Sequence, residues 1–203
     1  MYSSAILLAA GQSSRMKDGP SPLKGMLPWN GKTLIEAQLE ALKKSDVSEI
    51  ITVVGHKAED YVHLANKHPA KIIYNTNFQE GKCSSIIAGL EAINKHSEFI
   101  LIAAIDQPAD SKVINSLIHS LYKSRCKIAI PVFNGKRGHP ILFSAKILTD
   151  LFSINEDTKG LRNIIQKYHN DVLEVPSSNP LVRLNINTPR DYQEAVRIIQ
   201  NVK

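Results

Sequence analysis

The residues best suited to chemistry lie within the first thirty positions, where a short apolar run meets a loop of small residues. Residues 5–9 are all apolar, which predicts a buried strand, and Gly11 opens a loop rich in serine. Small side chains let backbone N–H groups approach a ligand closely and form an anion-binding nest. Arg15 adds a guanidinium fork that suits phosphate oxygens, and Lys24 is close enough in sequence to return over the same pocket. The pattern favours a phosphate cradle over an ordinary strand-to-helix loop with solvated cations.

Two better-known phosphate motifs are excluded. A dinucleotide fingerprint needs three spaced glycines, and this loop has only Gly11. Gly31-Lys32-Thr33 matches the end of a P-loop, but Met26 stands where that motif needs its first glycine, and no apolar strand leads into it. We expect Gly31 to make a turn and Thr33 to cap the helix that follows.

Asp106 is the second candidate, because it ends an apolar run over residues 99–105. An aspartate there is either a helix N-cap or a metal ligand. Beside a phosphate cradle the ligand role is favoured, since Mg²⁺ takes one or two carboxylates together with phosphate oxygens. Gly55 and Asn75 also follow predicted strands, and the carboxyl ends of parallel strands share one edge of a sheet. We therefore expect these groups to converge on one rim.

The segment from Asn75 to Ser85 precedes a predicted helix and carries two serines, Ser84 and Ser85. Exposed N–H groups at a helix start suit an anion or a nucleobase edge, whereas the alternative is N-capping alone. Cys83 and Cys126 lie far apart without metal-ligand spacing, which fits packed thiols in a reducing cytoplasm. A substrate contact for Cys83 stays open.

The elements that must position these groups alternate between strand and helix. The alternation predicts an α/β fold with three α/β/α layers and a mostly parallel, Rossmann-like sheet. Strands are predicted at residues 5–9, 49–54, 71–74, 99–105, 127–132, 141–144, 172–175 and 182–184, and helices at 33–44, 58–67, 83–95, 112–123, 145–152, 158–168 and from 189 to about 201. No linker divides the chain, so we expect one domain over residues 1–203.

The composition limits the kinds of ligand and partner that we expect the chain to bind. The net charge of +6 implies anionic ligands, but the Lys and Arg residues are scattered, without the basic run or aromatic platform of a nucleic-acid binder. No apolar stretch is long enough to span a membrane, and the first residues lack the pattern of a signal peptide. We expect a cytoplasmic protein that binds neither nucleic acid nor membrane.

Several short blocks together resemble a known family. The sequence is similar to the nucleotidyltransferases that make molybdenum cofactor dinucleotides, and most similar to the cytidylyltransferase branch. The blocks follow one another over nearly the whole chain: Leu8-Ala9-Ala10-Gly11 through Ser13 to Arg15-Met16, then Lys24 and Leu27-Pro28, Asn75 to Leu90, Asp106-Gln107-Pro108, Arg137-Gly138-His139-Pro140, and Asn185 to Asp191. Leu8-Ala9-Ala10-Gly11 stands where the guanylyl branch tends to have Leu-Ala-Gly-Gly, which favours cytidine.

The resemblance implies a sheet of the nucleotide-diphospho-sugar transferase type and Mg²⁺-dependent transfer of CMP from CTP to molybdopterin, with release of pyrophosphate. A molybdenum hydroxylase or its accessory protein is implied as a further partner. The roles it carries over are catalytic for Arg15, Lys24 and Asp106; nucleotide-binding for Leu8, Ala9, Ala10, Gly11, Ser13, Ser14, Arg15, Lys24, Gly55 and Ser84; substrate-binding for Asn75, Gly81, Gly138, His139 and Pro140; and metal-binding for Asp106 and Asn187.

The chain also departs from the family pattern. Asn185 and Asn187 replace two aspartates, and Lys17 replaces a glycine. An amide oxygen still coordinates Mg²⁺ but carries no charge, and the alternative for Asn187 is capping of the last helix. Two other functions therefore stay open. One is transfer of a cytidylyl or uridylyl group to a sugar or polyol phosphate, and the other is a non-catalytic carrier of molybdenum cofactor for a xanthine dehydrogenase-type enzyme.

Overall fold

The fold is built around one twisted sheet. The computed structural model describes residues 1–16 and 18–201, so the expected departure at Lys17 lies outside the described residues. Ten strands are present there: β1 Ser3–Ala9, β2 Pro28–Trp29, β3 Lys32–Thr33, β4 Glu49–Val54, β5 Ala70–Tyr74, β6 Phe99–Ala104, β7 Ile128–Phe133, β8 Lys136–Arg137, β9 Ile141–Ser144 and β10 Val172–Pro176. The order in the main sheet is β10-β7-β9-β6-β1-β4-β5, with β8 paired to β7.

The sheet is mostly parallel, as predicted. β1 pairs in parallel with both β4 and β6, while β9 runs antiparallel to β6 and β7. The helices are α1 Leu34–Lys43, α2 Ala58–Ala65, α3 Lys82–Ala92, α4 Ser111–Tyr122, α5 Leu148–Phe152, α6 Leu161–Lys167 and α7 Pro189–Asn201. No helix in the described part of the chain is long and apolar enough to cross a membrane.

Successive side chains along the central strands point to opposite faces of the sheet, so an apolar core forms on each face. In β1, Leu7 packs with α1 and α4 residues such as Leu39 on one face, whereas Ile6 packs with α3 residues such as Ile86 on the other. All seven residues of β1 are buried, because helices cover both faces. This arrangement confirms the three-layer prediction.

The predicted strand at residues 182–184 is wrong. Pro180–Arg183 forms a 3₁₀ turn instead, and Asn179 caps it by accepting a hydrogen bond from Leu181 N at 2.9 Å. A proline at the first helical position and an asparagine before it favour helix initiation, which the apolar residues of this segment concealed. The predicted helix at 145–152 is divided into a 3₁₀ turn, Ala145–Ile147, followed by α5.

Thr33 caps α1, as predicted. Its hydroxyl accepts from Glu36 N, and the Glu36 carboxylate accepts from Thr33 N at 3.0 Å, which makes a reciprocal capping box. β2 and β3 form the small hairpin around Gly31 that precedes this cap. Leu34 N, at the first position of α1, donates to Leu27 O at 2.9 Å. The start of α1 is therefore fixed to the segment that carries Lys24.

Candidate active site

The loops that follow β1 and β6 meet at the carboxyl edge of the sheet. Ile105 N donates to Leu8 O at 2.9 Å, which continues the pairing of the two strands to the last residue before Asp106. Ser13 has a φ of 53°, in the left-handed region, and the turn there lets its hydroxyl accept from Lys24 N at 3.2 Å. The small-residue loop and the Lys24 segment thus form one unit beside Asp106.

The Lys24 ammonium lies between two oxygens that the sequence assigned to metal binding. Its Nζ is 2.9 Å from Asp106 Oδ2 and 2.7 Å from Asn187 Oδ1. Arg15 donates to the same Asn187 oxygen at 3.0 Å. Two cationic groups and two oxygen ligands are thereby concentrated at one point. Lys24 is 9 % exposed, so water screens this cluster less than it screens a surface ion pair.

Asp106 and Asn187 meet because their backbones are joined. Ile186 N donates to Asp106 O at 2.7 Å, so the segment before α7 lies alongside the end of β6. The cap of α7 uses other residues: Asp191 accepts from Asn187 N and Thr188 N, at 3.0 and 2.8 Å. The Asn187 side chain is consequently turned away from the helix and toward the cation. Asp110 caps α4 through Lys112 N, which leaves the Asp106 carboxylate free of that role.

A first cavity of about 260 Å³ opens between the β1 loop and α3. Of the predicted nucleotide-binding residues, Leu8, Ala10, Gly11, Ser13 and Lys24 line it, together with Asp106. Gly81, predicted to bind the acceptor, lines it as well. Ala9 faces the opposite core, and Ser14 lies in the exposed 3₁₀ turn after the loop.

A second cavity of about 450 Å³ lies on the other side of Asp106. Its walls include Arg15, His139, Asn185 and Asn187. Four cationic side chains line it against two carboxylates, and this excess of positive charge favours an anionic occupant. The six charged residues are Arg15, Lys82, Lys159, Arg162, Asp106 and Glu156.

His139 is held neutral. Burial and, to a smaller extent, the nearby Lys82 ammonium lower its pKa to about 4. Its backbone N donates to Val182 O at 2.8 Å, and the preceding Gly138 lies so close to that oxygen that a Cβ would be 2.1 Å from it. Only glycine fits there, so the Gly138-His139-Pro140 block packs against the turn at 180–183. A neutral imidazole accepts or donates a hydrogen bond without adding charge to the cavity.

The remaining predicted residues lie outside both cavities. Asn75 is buried and donates to Ser84 Oγ and Ser85 Oγ, both at 2.9 Å, so it braces the start of α3. Gly55 supports the wall of the first cavity from behind, because a Cβ there would be 2.8 Å from Phe78 and 3.0 Å from Ala10. Their contacts with substrate stay predictions.

Sequence reasoning missed four charged residues of the second cavity: Lys82, Glu156, Lys159 and Arg162. Lys82 lines both cavities, and its charge beside Gly81 was the available signal. Glu156 accepts a hydrogen bond from Cys83 N at 2.8 Å, but it comes from an irregular segment between α5 and α6 that carries no motif. Burial and the neighbouring Glu156 together raise the pKa of the Cys83 thiol to about 11, so the thiol is protonated at neutral pH.

Comparison with known proteins gives a family match and a shared fold. The profile of the MobA-like NTP transferase domain matches residues 5–172. Molybdenum cofactor cytidylyltransferase of Escherichia coli is 29 % identical over 92 % of each chain, and nicotine blue oxidoreductase of Paenarthrobacter nicotinovorans is 29 % identical over 80 % of each. A nucleotidyl transferase from Methanothermobacter thermautotroptrophicus has the same fold, with a TM-score of 0.83, 24 % identity and coverage of 98 % of this chain and 99 % of its own.

Proposed function

This chain belongs to the family of MobA-like NTP transferases, and we propose that it transfers the CMP group of CTP to molybdopterin and releases pyrophosphate. In this proposal residues 1–203 form a single catalytic domain of a cytoplasmic protein, and the product serves a molybdenum hydroxylase or its accessory protein. The Escherichia coli relative, which is similar over nearly the whole chain, supports the choice of nucleotide and acceptor.

One observation carries the proposal: Asp106 lines both cavities. Nucleotidyl transfer needs a donor and an acceptor whose reacting phosphates meet in line, so the two sites must share a boundary at the reacting atoms. The first cavity, bounded by the small-residue loop, takes the nucleotide. The second, with its excess of cationic side chains, takes the phosphorylated acceptor.

The side-chain oxygens at the junction, the point around Asp106 where the two cavities meet, fit a divalent cation. A carboxylate oxygen of Asp106 and an amide oxygen of Asn187 are ligands that Mg²⁺ accepts, and both already face one cation, the Lys24 ammonium. Among the described residues no three His, Cys, Asp or Glu side chains cluster, so the remaining ligands would be phosphate oxygens and water. Bound there, Mg²⁺ would neutralise charge on the triphosphate.

The chain's own residues supply positioning and charge. We assign the β1 loop N–H groups to the triphosphate and Lys24 to the charge that develops at the α-phosphate. Arg15 lines the second cavity and bonds to Asn187, so we assign it to the phosphates that meet where the two cavities join. A terminal phosphate of the acceptor attacks the α-phosphorus, and the bond to the pyrophosphate oxygen breaks. That nucleophile is already ionised at neutral pH, so the reaction needs no general base and the neutral His139 is assigned to acceptor binding.

The test is pyrophosphate release from CTP with molybdopterin, set against GTP, ATP and UTP with the same acceptor. We expect CTP to be the preferred donor by at least about tenfold, since a misfit base costs of the order of 1–3 kcal/mol. Release with a sugar or polyol phosphate but not with molybdopterin would select the alternative acceptor class. Tight molybdopterin binding without release from any nucleotide would select the carrier.

A second candidate follows from the other relative. Nicotine blue oxidoreductase is as similar in identity as the cytidylyltransferase, and in this chain Asn185 and Asn187 stand where the resembled family has carboxylates. This site has less negative charge, and the Lys24 ammonium already bonds to Asp106 and Asn187. Such a site also suits a nucleotide cofactor that binds without a metal. Oxidation of NADH or NADPH by an added dye, with no pyrophosphate release from CTP, would favour this candidate.

A further inference from the structure

Helix α1 contacts the backbone segments of both members of the Lys24–Asp106 pair. Lys24–Met26 forms a 3₁₀ turn, and Leu27 N closes it by donating to Lys24 O at 3.1 Å. Leu27 O then accepts from Leu34 N, the first residue of α1. One helical turn later, Gln38 contacts the end of β6. The same helix therefore contacts the backbone that follows Lys24 and the backbone that precedes Asp106.

Gln38 makes this second contact with two good hydrogen bonds. Its Nε2 donates to Ala104 O and to Ile105 O, each at 3.0 Å, and Asp106 is the next residue. Two carbonyl acceptors require the NH₂ end of the amide, so its orientation is fixed by chemistry. From the other side Ile186 N bonds to Asp106 O. The backbone that carries the carboxylate is thereby held from two directions.

Glutamine at this position has a local benefit, because it pairs the Ile105 carbonyl oxygen, and also a cost. Gln38 is 1 % exposed, and the other buried residues of α1 are all apolar: Leu34, Ile35, Leu39 and Leu42. Its Oε1 is buried without a hydrogen-bond partner, which is a cost that leucine or methionine would avoid. Its two hydrogen bonds therefore act on the residues next to Asp106.

We propose that Gln38 is a positioning residue, which sets the distance between the Asp106 carboxylate and the Lys24 ammonium through α1. The expected effect of Gln38 on turnover rests on the proposed function. Its expected effect on the backbone at the end of β6 does not. Its loss lets the end of β6 open, and a carboxylate displaced by a fraction of an ångström no longer holds Lys24 in the productive geometry for the reacting phosphate.

The experiment compares Gln38→Met, which keeps the volume but cannot donate, with Thr52→Val as a matched control. Thr52 is fully buried in β4, and its Oγ1 also lacks a partner, so the control removes a buried polar group elsewhere in the same sheet. Hydrogen exchange is followed at the amides of Ile105 and Gln107, alongside melting temperature, kcat and the KM for CTP.

We expect Gln38→Met to speed exchange at those two amides by about tenfold or more and to lower kcat by roughly 10- to 100-fold, with the KM for CTP changed less than about threefold. Thr52→Val changes neither. Gln38→Glu, whose buried carboxyl is protonated and donates one hydrogen bond, lies between wild type and Gln38→Met; it also serves if Gln38→Met does not fold.

Unchanged exchange in the Gln38 variants would overturn the proposal, and so would faster exchange with normal kcat. If wild-type protein releases no pyrophosphate from any nucleotide, the proposed function fails, and the exchange rates alone decide whether Gln38 holds the end of β6.

Discussion

Replacing Lys24 with methionine tests whether its ammonium occupies the position of the divalent ion. Lys24 Nζ contacts both oxygens that we assign to the metal, so an ion can bind them only when the ammonium has moved away. Methionine keeps most of the aliphatic stem and removes the charge. We expect the variant to bind Mn²⁺ more tightly than wild type in the absence of nucleotide, while its turnover is lower.

The size of the effect follows from the contact that must be broken. At 2.9 Å and an effective dielectric constant of about 20, the attraction between the two charges is about 6 kcal/mol, and desolvation offsets most of it. A hydrogen bond between charged groups contributes about 1.5–3 kcal/mol net. Removal of that competition corresponds to a gain of about 10- to 100-fold in Mn²⁺ affinity. The two side chains are 11 % and 23 % exposed, so moderate salt should reduce this gain only in part.

The assay is Mn²⁺ titration by electron paramagnetic resonance, without nucleotide and then with CTP. Lys82→Met is the matched control, because Lys82 lines the same cavity without a bond to either metal-binding oxygen among the described contacts. If the gain in Mn²⁺ affinity comes only from the loss of a positive charge in the cavity, both Lys24→Met and Lys82→Met show it. Equal Mn²⁺ affinity in wild type and Lys24→Met, or a kcat that does not fall, would refute the reasoning.

Three further predictions concern the same junction. Asp106→Asn should lower pyrophosphate release at least about 100-fold while the protein still folds, because the bond from Ile186 uses the main-chain oxygen, although loss of the charge beside Lys24 lowers the melting temperature. A folded variant that keeps its rate would remove Asp106 from the mechanism. Asn187→Asp should lower the Mg²⁺ concentration at half-maximal rate by adding a second anionic ligand, and overlapping Mg²⁺ titrations of the two proteins would exclude Asn187 as a ligand. His139→Gln should reduce the loss of stability on acidification. The pKa of His139 is about 4 in the folded wild type and 6.5 for the free group, so the unfolded state takes up the proton first as the pH falls. The wild type therefore loses up to about 3 kcal/mol of unfolding free energy between pH 6.5 and 4. Chemical unfolding across that range measures it, and parallel pH profiles for wild type and variant would contradict the assignment.

The sheet was predictable because its strands are strongly patterned. β1 is apolar from Ala5 onward and β6 is apolar throughout, which is the composition expected of buried parallel strands. Thr33 predicted the start of α1, because threonine is a preferred N-cap residue. The strand predicted at 182–184 was wrong because Leu181, Val182 and Leu184 have the composition of a strand. The deciding facts were local: a proline at the first turn and an asparagine cap.

The junction could be predicted only in part. Asp106 was visible at the end of an apolar run, because the carboxyl edge of a parallel sheet collects ligand-binding groups. The contact of Lys24 with Asn187 joins residues 163 positions apart, and no local pattern encodes it. Gln38 was hidden for another reason, since a single polar residue on a helix usually lies on its exposed face.

Besides the cores on the two faces of the sheet, the chain has a third apolar cluster, which bears on how the protein folds as it is translated. It joins Met16 and Leu27, which flank the nucleotide loop, to Ile186, Tyr192 and other residues of the last segment. Tyr192 also donates to Pro28 O at 2.7 Å. During translation the strands of the sheet emerge first, but the loop after β1 gains its supporting core only when α7 has left the ribosome. The nascent chain can therefore form its sheet early and still be unable to bind nucleotide until the last helix docks.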